Sequence, residues 1–145
     1  MVREDFPSVR LIANAENRGF ATACNQAVRE SRGKYVLLLN PDTELRPGAL
    51  QAFTEFLASH PSAGVVGGKI LDAEGSIQPS VRRFPTLASQ VLVLLKLHRL
   101  RPQLPALRHY FAADFDYSRA QEVPQVMGAF FCVPSHLWNA VGLFD

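Results

Sequence analysis

Asp42 stands in the stretch Asn40-Pro41-Asp42-Thr43-Glu44, directly behind the apolar run Tyr35-Val36-Leu37-Leu38-Leu39. Carboxylate, amide and hydroxyl oxygens on so short a turn are hard donors of the kind that Mg²⁺ or Mn²⁺ takes, through one or two carboxylates together with substrate phosphates. Other readings compete. A P-loop ATPase also carries an aspartate after a buried strand, but the chain contains no G-x-x-x-x-G-K-[ST] to cradle phosphates. A receiver-type phosphoacceptor needs an acidic cluster after its first strand, where this chain has Asn14-Ala15-Glu16-Asn17, so that reading weakens but stays open. Asp42 as a mere turn or capping residue also stays open, as it does for any aspartate after proline.

A second polar group lies upstream, in Asn14-Ala15-Glu16-Asn17-Arg18-Gly19-Phe20-Ala21-Thr22-Ala23-Cys24-Asn25. Gly19 permits close backbone approach, and the helix that starts there offers free amide donors to a base or phosphate. Asn17 and Asn25 have the donors and acceptors to meet neutral edges of a nucleotide, although asparagine in turns and helices commonly satisfies local backbone instead.

These groups need elements to hold them. The run at 35–39 predicts a central strand of a parallel sheet, covered on both faces, and Pro41 must end its ladder and leave Asp42 at the carboxyl edge where open α/β sheets bind ligands. Val9–Ala13 reads as a preceding strand, and Ala21–Ser31 as a helix with Ala21, Cys24 and Val28 on one stripe. A second helix opens at Pro47, turns Leu50, Phe53, Phe56 and Leu57 inward, and ends at His60-Pro61. Ala63–Leu71 is a further strand, closed by a turn at 72–75, and this alternation predicts a doubly wound α/β sheet. Thr86–Leu100 reads as one helix, apolar on most sides.

Composition sets the outer limits. A chain of 145 residues, 48% hydrophobic and 19% charged, is expected to form one domain, divided into residues 1–75 and 76–145. Its net charge of +2 calls for no nucleic-acid partner. The opening lacks the apolar core of a signal peptide, so a cytoplasmic chain is expected, and Cys24 and Cys132 are expected to be buried free thiols. Charge is segregated, however: no acidic residue falls between 75 and 113, while Arg82, Arg83, Lys96, Arg99, Arg101 and Arg108 are all basic. The helix in this stretch is either a core element or a basic amphipathic one that rests against the inner face of an anionic membrane or grips an anionic lipid acceptor.

The ordered set N-R-G-F-A-T-A-C-N at 17–25, G-K-Y-V-L-L-L-N-P-D-T at 33–43 and P-G-A-L at 47–50 resembles the family 2 glycosyltransferases, and their rhamnosyltransferase-like branch in particular. So do H-P at 60–61, V-G-G-K-I at 66–70, R-R-F-P at 82–85, M-G-A-F-F-C-V-P at 127–134 and the closing V-G-L-F-D. The resemblance implies a GT-A, Rossmann-like α/β fold that moves a sugar from a nucleotide-sugar donor to a glycan or lipid-linked acceptor, as in cell-envelope polysaccharide synthesis. It places residues 1–75 on the nucleotide-sugar side and 76–145 on the acceptor side. It further implies Asp42 as the ligand of Mg²⁺ or Mn²⁺, Asn40 near the ribose or metal, Asn17, Gly19 and Asn25 along the nucleotide, and Gly128 and Ala129 on the sugar or acceptor side. Family members carry a strand ahead of the first one here and a Glu-Asp pair, which holds the general base, beyond the position of Asp145. An incomplete catalytic domain is therefore the expectation, with a non-catalytic nucleotide-sugar-binding or interaction module as the alternative. A homo-oligomer, formed through the unpaired edge of the strand at 9–13, is a further expectation.

Overall fold

A computed structural model describes residues 1–145. It is a mixture of helix and strand that groups into two compact units, one made of Met1–Val36 with Val133–Asp145 and the other of Leu37–Cys132. No helix is long and apolar enough to cross a membrane.

In the first unit a short helix α1 (Val2–Asp5) precedes α2 (Phe20–Glu30), and α7 (Ser135–Val141) closes the chain. The stripe read from the sequence holds: Val28 is buried and Ala21 and Cys24 are half-buried. The segment 9–13 is not a strand, which corrects the expectation. Side chains hold it instead. Arg10 pairs with Glu30, and the amides of Asn14 and Gln26 exchange hydrogen bonds of 2.9 and 3.1 Å, so the segment runs antiparallel along α2. Val9, Leu11 and Ile12 remain substantially exposed, and a short apolar segment does not make a strand without a ladder partner. With no strand there, the edge invoked for self-association is gone.

The second unit contains α3 (Ala49–Ser59), β2 (Val66–Gly67) and the greater part of two strands, β1 (Tyr35–Leu39) and β7 (Phe130–Pro134). The three strands form a sheet in the order β1-β7-β2, so β1 is an edge strand rather than the central one its sequence suggested. Its burial agrees, since only Val36 is buried and Leu39 is 37% exposed. The end of β1 meets the beginning of β7, and β2 is also antiparallel to β7, with Val66 opposite Cys132 and Gly67 opposite Phe131. β1 and β2 are thus parallel strands joined through α3, as the alternation predicted, with an antiparallel strand between them that periodicity gave no reason to expect. On α3, Leu57 is buried and Phe53 stacks within 4.2 Å of Phe130, whereas Leu50, in the first turn, is half exposed rather than inward.

The strand expected at 63–71 is broken in two, β2 and β3 (Ile70–Leu71), at the Gly67-Gly68 pair. A Cβ on Gly67 would lie 2.8 Å from Cβ and Cγ1 of Val126, so the close approach of that side chain requires glycine. β3 pairs with β4 (Ile77–Gln78) across the turn predicted at 72–75, in which the Asp72 carboxylate accepts the Ser76 N–H at 2.7 Å. β5 (Val81–Arg82) pairs with β6 (Gln125–Val126). The expected single helix at 86–100 is two, α4 (Leu87–Leu94) and α5 (Leu97–Leu100), separated by Lys96 in the left-handed conformation (φ 56°). α6 (Pro105–Tyr110) packs on α4 and buries Leu107 completely.

Candidate active site

The turn behind β1 is fixed by backbone. Asn40 N–H donates to the Ala129 carbonyl at 3.1 Å, and Thr43 N–H donates to the Asn40 carbonyl at the same distance. Pro41, between them, has no N–H to satisfy. Asp42 is consequently presented on a turn anchored at its first residue, with an exposed side chain that takes no hydrogen bond or ion pair from the protein. A turn-stabilising or capping aspartate would accept a backbone N–H, and Asp42 accepts none, while the residue that caps α3 is Gly48. Of the implied site residues, Asn40, Asp42, Gly128 and Ala129 are therefore brought to one end of the sheet. Gly128 is exposed with open space around its Cα, and neighbouring Met127 N–H donates to the Ser80 carbonyl at 3.0 Å, extending the β5–β6 ladder.

Asn17, Gly19 and Asn25 belong to the first unit. Asn17 Oδ1 accepts the Gly19 N–H at 2.9 Å, a local turn that delivers the chain into α2. Gly19, the N-cap, has φ 80° and ψ 166°, a conformation open essentially to glycine alone. Asn25 is 9% exposed, and its amide clamps one residue: Nδ2 donates to the Phe144 carbonyl at 2.7 Å and Oδ1 accepts the Phe144 N–H at 3.0 Å. Both polar groups of Asn25 are thus engaged on backbone, and its visible work is to hold the 142–145 segment to α2.

The second unit contains a shallow cavity of about 440 Å³, lined among others by Arg82, Phe111, Tyr117 and Met127. Ligand clefts have volumes of this order. Tyr117 Oη accepts the N–H groups of Ser80 (2.9 Å) and Val81 (3.1 Å), which leaves its own hydrogen for a further acceptor. Arg82 lies 5.0 Å over the Phe111 ring and donates to the carbonyls of Pro79 and Val81. Sequence reasoning missed Phe111 and Tyr117; the aromatic spacing at 110, 111, 115 and 117, directly behind the basic stretch, was the available signal. Residues 1–117 match the family model of glycosyl transferase family 2. The chain belongs to that family.

Among curated proteins, this family 2 chain is similar to the N-acetylglucosaminyl-diphospho-decaprenol L-rhamnosyltransferases of two Mycobacterium tuberculosis strains, CDC 1551 / Oshkosh and ATCC 25618 / H37Rv. Each is 32% identical over 93 residues, a stretch that covers 57% of this chain and 30% of the relative. The match thus spans under a third of the length of these relatives. No solved structure matches the chain significantly.

Family 2 enzymes generally use divalent metal ions. No group of three or more His, Cys, Asp or Glu side chains comes together in this chain, so the protein offers no cage of its own. A lone, unpartnered carboxylate fits the other mode, in which substrate phosphates complete the coordination of a small hard cation. The cysteines take no part in such chemistry: both are free, Cys132 is buried and Cys24 half-buried, and burial raises both thiol pKa values and so disfavours the thiolate. Two of the basic residues of the 75–113 stretch have structural partners. Arg82 is tied to backbone as above, and Arg83 forms a two-pronged pair with Asp114 at 2.8 and 3.0 Å.

Proposed function

We propose that this chain is a sugar-transfer domain of GT-A type, taking a nucleotide-sugar donor at the end of β1 and a lipid-linked acceptor on the side of Met127–Ala129. The observation that carries the reading is the exposed, unpartnered Asp42 carboxylate on a turn whose first residue is bonded to Ala129. Mg²⁺ or Mn²⁺ held between Asp42 and the donor diphosphate would supply Lewis-acid stabilisation of the leaving group, an effect worth several kcal/mol in the transition state. Asn40 has a side-chain amide within the same turn to meet a ribose hydroxyl, and its backbone bond to Ala129 holds the turn in place. Within the first unit, Asn17 fixes the turn before α2, Gly19 starts that helix and Asn25 holds residue 144 against it. In transfer, an acceptor hydroxyl forms a new bond to the anomeric carbon as the bond to the diphosphate oxygen breaks, and the hydroxyl proton passes to a carboxylate base.

The activity for which the Mycobacterium relatives are named, rhamnose transfer onto N-acetylglucosaminyl-diphospho-decaprenol, supports rhamnose as donor sugar and a polyprenyl diphosphate-linked glycan as acceptor class. Calorimetric titration of the chain with nucleoside diphosphates, with Mn²⁺ and with chelator, tests the site. Binding is expected only with the cation, and Asp42→Ala is expected to lose it. Equal affinity of wild type and Asp42→Ala, or affinity indifferent to chelator, would remove Asp42 from the metal role.

A further inference from the structure

The two helices at 87–100 expose what a core helix hides. Ser89 is completely buried, while Leu87 (84% exposed), Val91 (45%), Leu94 (82%) and Leu95 (61%) face outward. Their spacing of i, i+4, i+7 and i+8 puts all four on one stripe of the helical turn. Phe84 before the helix is also exposed, and so is Leu100 after it. Large apolar side chains gathered on one face in this way mark a contact surface. Directly after the stripe in the chain, Lys96, Arg99 and Arg101 are exposed and have no acidic partner. The sequence supplies none nearby, since no Asp or Glu lies between 75 and 113.

We infer that this face docks on an anionic lipid surface, with α4 lying in the plane of the headgroups, its leucines in the acyl boundary, and Lys96, Arg99 and Arg101 on lipid phosphates. Three observations select lipid over other occupants. The eight-residue α4 is far too short to span a bilayer, so it can only lie in the interface. A second copy meeting this face about a twofold axis would set basic residues against basic residues, because such contacts are self-complementary. An exposed apolar stripe followed directly in the chain by unpaired cations matches the two parts of an anionic lipid, acyl chain and phosphate. The proposal narrows the basic set expected from the sequence, because Arg83 is neutralised by Asp114 and Arg82 is held by backbone carbonyls and Phe111. It stands independently of the sugar-transfer reading, which rests on Asp42.

Vesicle flotation of the full chain tests it, with phosphatidylcholine vesicles that do or do not contain about a third phosphatidylglycerol. Wild type is expected to float with the anionic vesicles and hardly at all with the neutral ones. Neutralising three cations in Lys96→Gln/Arg99→Gln/Arg101→Gln should weaken binding about 100-fold, at roughly fivefold per residue. Leu87→Ser/Leu94→Ser should weaken it by at least about tenfold, the scale of several lost buried methylenes. Both variants change exposed side chains, so unchanged circular dichroism and melting would confirm that each is folded. Failure of wild type to float with anionic vesicles would overturn the proposal, as would binding that survives both variants. A leucine-dependent dimer in sedimentation without vesicle binding would overturn it too and assign the face to self-association.

Discussion

Single side chains in this protein divide into those whose polar groups face solvent without a protein partner and those whose polarity is spent internally. Asp42 belongs to the first group and Asn25 to the second, although the sequence presents both as polar residues beside an apolar element. What made Asp42 legible was Pro41: a residue without a backbone donor after five apolar positions must end the strand, whatever the sheet around it. Nothing local revealed the partner of Asn25, because Phe144 lies 119 positions away. The pairing of Arg83 with Asp114 was hidden for the same reason, and it makes a prediction about pH. Hydrogen bonds from Arg83 hold the Asp114 carboxyl below the usual carboxylate range, helped by a backbone hydrogen bond and the guanidinium charge. A depressed folded-state pKa means that the contribution to stability is present above the unfolded value of about 3.9 and is lost as pH falls through the folded one. In a carboxyl NMR titration Asp114 is expected to titrate at lower pH than an unpaired aspartate, and in Arg83→Ala to return toward the ordinary value. An unchanged titration in that variant would assign the shift to backbone alone.

Secondary-structure elements were readable where periodicity and punctuation agree. The stripe on α2 and the strand β1 appear within a residue of their predicted positions, and α3 starts two residues later than predicted. The failures have a common cause, which is that an apolar run does not specify its neighbours. Val9–Ala13 has the composition of a strand but lies beside a helix, and Thr86–Leu100 has the composition of one buried helix but forms two, with Leu87, Leu94 and Leu100 pointing out. The cap of α4 was fully local. Thr86 Oγ1 accepts the Ser89 N–H at 3.1 Å, and the Ser89 hydroxyl accepts the Thr86 N–H at 2.9 Å while donating to the Thr86 carbonyl at 2.8 Å. Here a reciprocal box does the work with serine in its third position. Thr86→Ala is expected to cost about 1 kcal/mol in denaturant unfolding, with Thr86→Ser nearly neutral. A loss from Thr86→Ser as large as from alanine would locate the effect in the threonine methyl rather than the hydroxyl.

At the scale of the whole molecule the mixture of helix and strand was legible and the order of the sheet was not. Alternating helix and strand predicted parallel β1 and β2 joined by α3, but the strand that sits between them comes from residues 130–134, and sequence periodicity carries no record of such distant pairing. The two compact units differ in the same respect: one is a continuous stretch of chain, Leu37–Cys132, and the other is assembled from residues 1–36 and 133–145. That division puts a clock into the molecule. On a ribosome, α2 emerges early but must wait for more than a hundred residues to follow before the Phe144 backbone arrives to engage Asn25. Closing so long a loop is entropically expensive and brings its reward late, so the clamp should form after the folding transition state has passed. Asn25→Ala, which strands two backbone groups of Phe144, should therefore lose about 1–3 kcal/mol. Stopped-flow traces of Trp138, the single tryptophan, whose ring lies 5.4 Å from that of Phe144, should show the loss as faster unfolding with almost unchanged refolding. Slowed refolding with unchanged unfolding would place this pair of chain segments in the nucleus instead. Until residue 144 is made, the Asn25 amide has no backbone to clamp, and the nascent chain carries α2 through that interval without this contact.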